Sequence, residues 1–530
     1  MANAGCIGFV HARHRDAATA IGQILTTNSI GRSGVSAVKW SAVSTVSRFA
    51  LQLVAQVILA RTLGPETFGI FAIGMVILTF ANFVSQFGFS WSLLQRSEVT
   101  DEDIRFAWTW QVLVGILTMV TLYFMAPLLA GYFREPRAEA VIEWLSLACL
   151  LNAAAGPATF LLQRELDFRA VGIIQVVSYA IGYGAVGVPM ALLGWGVSSL
   201  VAAWLVQAAV QFIASYARKP HALKPLFWYP GANVAMGTGR AVFFTNIVNW
   251  VLNNLDRIII ARLLNATSMG LYNVAYNLAT MPNSLLLGAL QPAFLAAGAR
   301  LQDELPRLGR AYLQMLATIC VLGFPVFMFL ALISNDLVRV LYGPQWSEAG
   351  WVLGILFLAI PAYVIWGIST PVLWNTGRKN HEFALQIPLV ILGVAAFYLL
   401  AGHGIRYAAG VAAALLVLRA GVIATAAFKA LSLGFRDVMP DAARGFLLAA
   451  LCAAGVVAAQ TALAKYDLPL LSIAGASLSA LVVVSVAVLL RPQLLGAQTG
   501  AMVVRFLPAL ESRIGRMGAM PLKETSGERL

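Results

Sequence analysis

The stretch VILARTLGPETFGIFA, Val57 to Ala72, returns 201 residues later as IIIARLLNATSMGLYN, Ile258 to Asn273. Ile58, Ala60, Arg61, Leu63 and Gly69 fall on Ile259, Ala261, Arg262, Leu264 and Gly270, so the chain carries two copies of one unit. Upstream, Thr45, Arg48, Gln52 and Gln56 fall on Asn246, Asn249, Asn253 and Arg257, and the polar positions repeat as well as the apolar ones. Spacings of three and four residues put each set on one face of a helix. Both helices are otherwise apolar and long enough to cross a bilayer, so each carries a polar stripe through hydrocarbon. Such a stripe must face protein or water, and two related stripes are expected to face each other across a shared cavity.

Composition sets the broad class. With 60% hydrophobic and 11% charged residues, the 530-residue chain reads as an all-α polytopic membrane protein, since soluble domains carry about 25% charged residues. Cys6, Cys149, Cys320 and Cys452 are scattered without ligand spacing, which argues against a disulfide framework or a metal site. Met1 to Lys39 mixes charged and polar residues without a clean apolar core, so residues 1–40 are expected to be a cytoplasmic tail rather than a signal peptide.

Apolar segments fall near 41–60, 70–94, 106–130, 139–161, 171–190, 195–216, 241–261, 270–296, 311–334, 349–374, 383–401, 405–428, 445–464 and 468–490, about fourteen transmembrane helices. With the N-terminus inside, Lys and Arg divide 26 to 7 in favour of the cytoplasmic side, and Arg48, Arg257 and Arg419 lie within spans. That bias places both termini in the cytoplasm. It also accounts for the net charge of +13, which faces anionic headgroups and needs no nucleic-acid partner. The expected organisation is an N-lobe of six helices (41–217), a cytoplasmic linker (218–240), a C-lobe of six helices (241–429), two further helices (430–490) and a cytoplasmic tail (491–530). In that tail Val503, Phe506, Leu507, Leu510 and Ile514 oppose Arg505, Glu511, Arg513 and Arg516, the pattern of an interfacial helix. No loop holds a soluble catalytic domain, and the five histidines lie outside or at the ends of the spans. Enzyme chemistry has no obvious seat.

The motif NNLDRIIIARLL with MGLYNVAYNLATMPNSLL, together with LLQRELDFR (Leu161 to Arg169) and LWNTGRKN (Leu373 to Asn380), resembles bacterial lipid-linked oligosaccharide flippases. These are the polysaccharide transporters of the multidrug/oligosaccharidyl-lipid/polysaccharide exporter superfamily. The resemblance spans roughly Ser41 to Lys429. It implies two six-helix lobes, often with two added helices, in the bacterial inner membrane. The implied function is moving an undecaprenyl-pyrophosphate-linked glycan from the cytoplasmic to the periplasmic leaflet for exopolysaccharide, capsule or O-antigen synthesis. Membrane lipids and the polymerase and export machinery of the same pathway are the implied partners.

Within that frame Arg48, Gln52, Gln56, Asn249, Asn253 and Arg257 are the expected cavity residues of helices one and seven, and helix eight adds Asn273, Tyr276 and Asn277. Arg48 lies 13 residues before Arg61, about 20 Å of helix, in the cytoplasmic half of the span. Fixed guanidinium groups and amide donors would replace part of the hydration of a pyrophosphate. The alternative is that Arg257 snorkels and Arg48 pairs with a carbonyl. Asp256 reads as the only acidic residue well inside a span. It either binds a coupling cation, H⁺ or Na⁺, or pairs with a neighbouring helix. Arg419 is a weaker cavity candidate, and Tyr363, Trp366 and Trp374 either stack on sugars or anchor at an interface. A drug exporter of the same superfamily is the alternative transporter, and a membrane-embedded glycan polymerase the alternative of another class. A cationic cavity favours an anionic substrate over the first, and the lack of a large external loop or carboxylate pair disfavours the second.

The charge count generates a topological prediction. A cysteine placed at position 222 in a chain stripped of native thiols should react only with membrane-permeant reagents in whole cells. Labelling by an impermeant reagent from the periplasm would overturn the fourteen-helix topology.

Overall fold

The computed structural model describes residues 28–86, 93, 99–165, 167–230, 232–300, 304–496 and 499, and these contain helices and no strand. One helical run, Asn28–Gln86, breaks at Gly64 (φ 74°, ψ 173°) into α1 (28–63) and α2 (65–86). Glycine takes that left-handed φ without a Cβ penalty, and the following Pro65 has no N–H to continue the hydrogen-bond ladder. There follow α3 (Asp101–Phe133), α4 (Ala138–Arg164), α5 (Phe168–Leu192), α6 (Val197–Arg218), α7 (Ala232–Leu263) and α8 (Ala266–Arg300). The second half continues with α9 (Leu305–Leu332), α10 (Ser347–Asn375), α11 (Lys379–Leu400), α12 (Ile405–Ala430), α13 (Met439–Leu463) and α14 (Pro469–Leu490). Each expected span has its helix. Several helices run past the apolar stretch that marks them, because a helix continues into polar surroundings wherever its backbone bonds are kept. The expected interfacial helix at 503–516 lies outside the described residues.

The chain forms two compact units, one of Met1–Gln56, Ile77–Ala126 and Ala140–Phe243, the other of Val57–Val76, Pro127–Glu139 and Phe244–Leu530. In the first unit small residues let helices touch. A Cβ on Gly172 of α5 would stand 2.4 Å from Ser44 of α1, and one on Gly182 would stand 2.5 Å from the Ala203 carbonyl oxygen of α6. Asn152 of α4 donates to Asn82 of α2 at 3.2 Å. The segment after α6 is tied back onto α3: Arg105 donates to the Lys224 carbonyl at 3.0 Å, Trp110 to that of Phe227 at 3.1 Å, and Tyr229 bonds Asp103. Asp167 caps α5 by accepting the Ala170 N–H at 3.0 Å and meets Arg218 at 2.9 Å. The backbone donor first, and then the guanidinium, hold its carboxyl below the ordinary carboxylate range. That support is complete above the unfolded value of about 3.9 and is lost as pH falls through the lower folded one.

The second unit contains a contact between repeat-related residues. A Cβ on Gly69 of α2 would lie 1.6 Å from the Ala266 carbonyl oxygen, and one on Gly270 of α8 would lie 1.9 Å from that of Pro65. The four residues form two repeat-related pairs, so α2 and α8 cross backbone to backbone about a local two-fold relation. Around the crossing, cations on the end assigned to the periplasm by charge are spoken for. Arg61 donates to the Leu341 and Val340 carbonyls at 2.8 and 2.5 Å, completing the C-terminus of the short helix Ser334–Tyr342. Trp346 Nε1 donates to the Ala60 carbonyl at 3.1 Å, Arg137 pairs with Glu66 at 2.7 Å, and Arg262 lies 5.0 Å over the Tyr132 ring.

Because the close approach leaves no room for a side chain, Gly69→Ala and Gly270→Ala should each lower the unfolding free energy by ~1–3 kcal/mol or more through overpacking. Gly131→Ala in α3, where nothing lies within 4 Å of an added Cβ, should be neutral or slightly stabilising. Thermal unfolding of detergent-purified protein measures both, and equal behaviour of the three variants would contradict the crossing.

Candidate functional site

Asn253, Asp256 and Arg257 share one face of α7 through three-and-four spacing, and residues from α8, α10, α11 and α12 close around them. Arg257 donates from Nη2 to the Asn253 carbonyl at 3.0 Å and lies 4.6 Å from the centroid of the Tyr276 ring of α8. Asp256 accepts the Tyr272 hydroxyl at 2.5 Å and the Arg257 N–H at 2.8 Å, with the Arg257 Nε 4.0 Å away. A carboxylate filled in this way balances charge within the unit.

The centre of the group is Arg419 of α12, 4% exposed. It donates to Asn253 Oδ1 and to Gln386 Oε1, both at 2.7 Å, and lies 3.8 Å over the Trp366 ring. Such a planar cation can bond in its plane and stack on its face at once, which lysine cannot do. Gln386 in turn donates to Glu382 at 3.1 Å, and Glu382 also accepts from Thr370 at 3.0 Å and Trp374 at 2.7 Å. A relay therefore runs Glu382, Gln386, Arg419, Asn253 across α11, α12 and α7. It explains how a guanidinium and a carboxylate persist among apolar helices without touching: the amide between them offers its N–H to one and its oxygen to the other. Asn253, Asp256, Tyr272, Tyr276, Tyr363 and Arg419 line a pocket of about 50 Å³, room for water or a bare ion.

The structure thus brings Asn253, Asp256, Arg257 and Tyr276 together. Asn273 and Asn277 are half-buried on α8, and the Asn249 side chain lies outside the described residues. In the first unit Arg48 and Gln52 are half-buried and Gln56 is 9% exposed, whereas Val43, Val46, Val54 and Ile58 of the same helix are exposed. Arg48 donates to Gln175 of α5 at 3.2 Å. No carboxylate pairs with it among the described residues. Trp366 has one face under Arg419, and Trp374 commits its indole N–H to Glu382.

A second buried acidic side chain, Glu382, 4% exposed, lies at the start of the membrane-length helix His381–His403. Its position beside Arg378 and Lys379 makes it look like part of a polar loop. Arg419, the weaker cavity candidate of the sequence, is the hub of this group. The readable signal was the polar pair Glu382 and Gln386, four apart on an apolar helix, facing another buried polar residue. Only tertiary packing joins them to α12.

Among the described residues, fourteen helices on an internal repeat, which include eleven helical runs long and apolar enough to cross a membrane, define a multi-pass membrane protein with a helical transporter fold. The chain belongs to the polysaccharide biosynthesis protein family, whose pattern matches residues 58–350. It is 26% identical over 388 residues to the lipopolysaccharide biosynthesis protein WzxC of Escherichia coli (strain K12), covering 69% of this chain and 76% of that one. To the teichuronic acid biosynthesis protein TuaB of Bacillus subtilis (strain 168) it is 23% identical over 372 residues, with the same coverages. Among solved structures, lipid II flippase MurJ matches with a TM-score of 0.68 and 13% identity, over 85% of this chain and 99% of that one. A multidrug resistance MATE family transporter of the MOP superfamily matches at 0.57 and 14%, over 74% and 98%.

The relay makes a prediction about coupling. Gln386→Leu leaves Glu382 and Arg419 each short of a partner and should cost ~1–3 kcal/mol of stability. Combined with Arg419→Met the loss should be clearly less than additive, as read from thermal unfolding of the two single variants and the double. Additive losses would show that Gln386 and Arg419 act separately.

Proposed function

We propose that the protein moves an undecaprenyl-pyrophosphate-linked oligosaccharide repeat unit from the cytoplasmic to the periplasmic leaflet by alternating access. The anionic headgroup is received by the polar stripes of α1 and α7 while the lipid tail stays in the bilayer. The observation that carries this reading is the surplus of cations inside spans. Three arginines stand against two buried carboxylates, Asp256 and Glu382: Arg48 is held by a neutral amide, Arg257 lies beside Asp256, and Arg419 reaches Glu382 only through Gln386. Arginines inside spans are rare and mark pathways, and a guanidinium whose partners are neutral keeps its capacity for a pyrophosphate oxygen.

The similarity to WzxC, a lipopolysaccharide biosynthesis protein, and to TuaB, a teichuronic acid biosynthesis protein, supports the substrate class. A cationic interior favours an anionic cargo over the cationic drugs of other exporters. For Asp256 the geometry supports charge balance, since its oxygens already accept Tyr272 and the Arg257 N–H. A coupling H⁺ or Na⁺ would have to compete with those donors.

Polysaccharide export, normalised to membrane-inserted protein, tests the proposal, with accumulation of lipid-linked precursor on the cytoplasmic leaflet as the second readout. Arg48→Ala should lower export about tenfold or more, the equivalent of one charge-assisted hydrogen bond. Arg48→Lys, which keeps charge and loses the fork, should fall in between. Wild-type export from Arg48→Ala at equal protein level would remove Arg48 from the pathway.

A further inference from the structure

On the outer side of the second unit α12 presents a ridge, Val417 and Gly421, continued by Phe435, and an apolar groove lies on each side of it. The first groove, about 550 Å³, runs between α12 and the start of α11 over Leu373, Leu385, Leu418, Val422 and Ala426. The second, about 460 Å³, runs between α12 and α9, α10 and α13 over Leu316, Phe324, Met328, Ile365, Phe428 and Phe446. Val417 and Leu418 are 54% and 40% exposed, so the ridge faces the surroundings of the unit rather than its core.

One end of the first groove is charged. Arg378, His381 and Lys429 line it together, and all three are exposed. Among the described residues none of the three makes an ion pair or side-chain hydrogen bond. They contrast with the neighbouring Glu382, which turns inward to Thr370, Trp374 and Gln386. From Val417 to Lys429 is twelve residues of α12, about 18 Å, close to half the roughly 30 Å hydrocarbon thickness. A basic rim, one leaflet of depth and two adjoining apolar grooves together describe the shape and charge of a lipid with one anionic headgroup and two tails.

We propose that this surface binds an anionic diacyl phospholipid of the cytoplasmic leaflet. The phosphate sits against Arg378, His381 and Lys429, and the acyl chains lie in the grooves on either side of the Val417–Gly421 ridge. Basic pockets between transmembrane helices on the cytoplasmic side bind anionic headgroups in this way. The leaflet assignment rests on the charge-count topology; the binding itself does not. The site also leaves the proposed substrate stripes untouched, so its occupant acts on the membrane seating of α11 and α12, the helices that carry Gln386 and Arg419.

The experiment is native mass spectrometry of the full chain, delipidated in detergent and titrated with phosphatidylglycerol or phosphatidylcholine. Phosphatidylglycerol should be retained at least about tenfold more tightly. A basic residue at a membrane surface is worth about fivefold, so Arg378→Gln with Lys429→Gln should cut that retention by about 25-fold, towards the phosphatidylcholine level. Gly421→Leu, at a position where an added Cβ meets nothing within 4 Å, fills the grooves with the charges intact and should weaken binding of the diacyl lipid several-fold without loss of the folded thermal transition. Equal retention of the two lipids, or unchanged retention in both variants, would overturn the proposal. Displacement by millimolar inorganic phosphate would reassign the rim to free phosphate. Displacement by undecaprenyl pyrophosphate in preference to phosphatidylglycerol would reassign the grooves to substrate, and either result also overturns the phospholipid site.

Discussion

Hydrocarbon offers a buried charge no partner, so every ion that this chain places inside a span has to be met by the chain itself. Arg419 shows how completely that demand shapes the second unit. Its guanidinium binds Asn253 on α7 and Gln386 on α11 and covers Trp366 on α10, which ties four helices through one side chain. Glu382 extends the same set to Thr370 and Trp374. A network of this kind is costly if half made and rigid if complete. Its effect here is to hold the polar face of α7, with Asn253, Asp256 and Arg257, in a defined place.

A second constraint comes from sterics. The turn at Gly64 and Pro65 and the pair Gly69 and Gly270 let α2 and α8 meet at their backbones. Small residues do for membrane helices what apolar burial does for soluble ones, since lipid is already apolar and only close contact adds attraction. Arg61, Arg137 and Arg262 then gather near the crossing, each with its partner. Cations on that end serve structure. At the opposite end Arg105 and Arg218 are also bonded, whereas Arg378 and Lys429 are exposed.

The arginines differ in how their charge is met. Where a guanidinium ends on main-chain carbonyls or carboxylates, as at Arg61 and Arg137, its bonding capacity is used to close a helix end or a loop. Arg48 meets one neutral amide, whereas Arg257 meets one main-chain carbonyl, the ring of Tyr276 and, at 4.0 Å, the Asp256 carboxylate. A neutral partner, such as Gln175 at Arg48, satisfies geometry without cancelling charge.

The sequence by itself determined the number and order of the helices, because twenty apolar residues have no other use than to cross a bilayer or fill a core. It determined the repeat, which aligns Gly69 with Gly270, and the polar positions of α1 and α7, which follow from their three-and-four spacing. Which polar residues would meet was decided by tertiary structure. Arg419 is 166 residues from Asn253 and 33 from Gln386, and no periodicity links residues so far apart. Glu382 is hidden for the same reason: it stands beside Arg378 and Lys379 in the chain, and only the first turn of α11 against the end of α10 turns it inward. Periodicity reports which face of one helix is polar. The side chain waiting opposite depends on how the other helices pack.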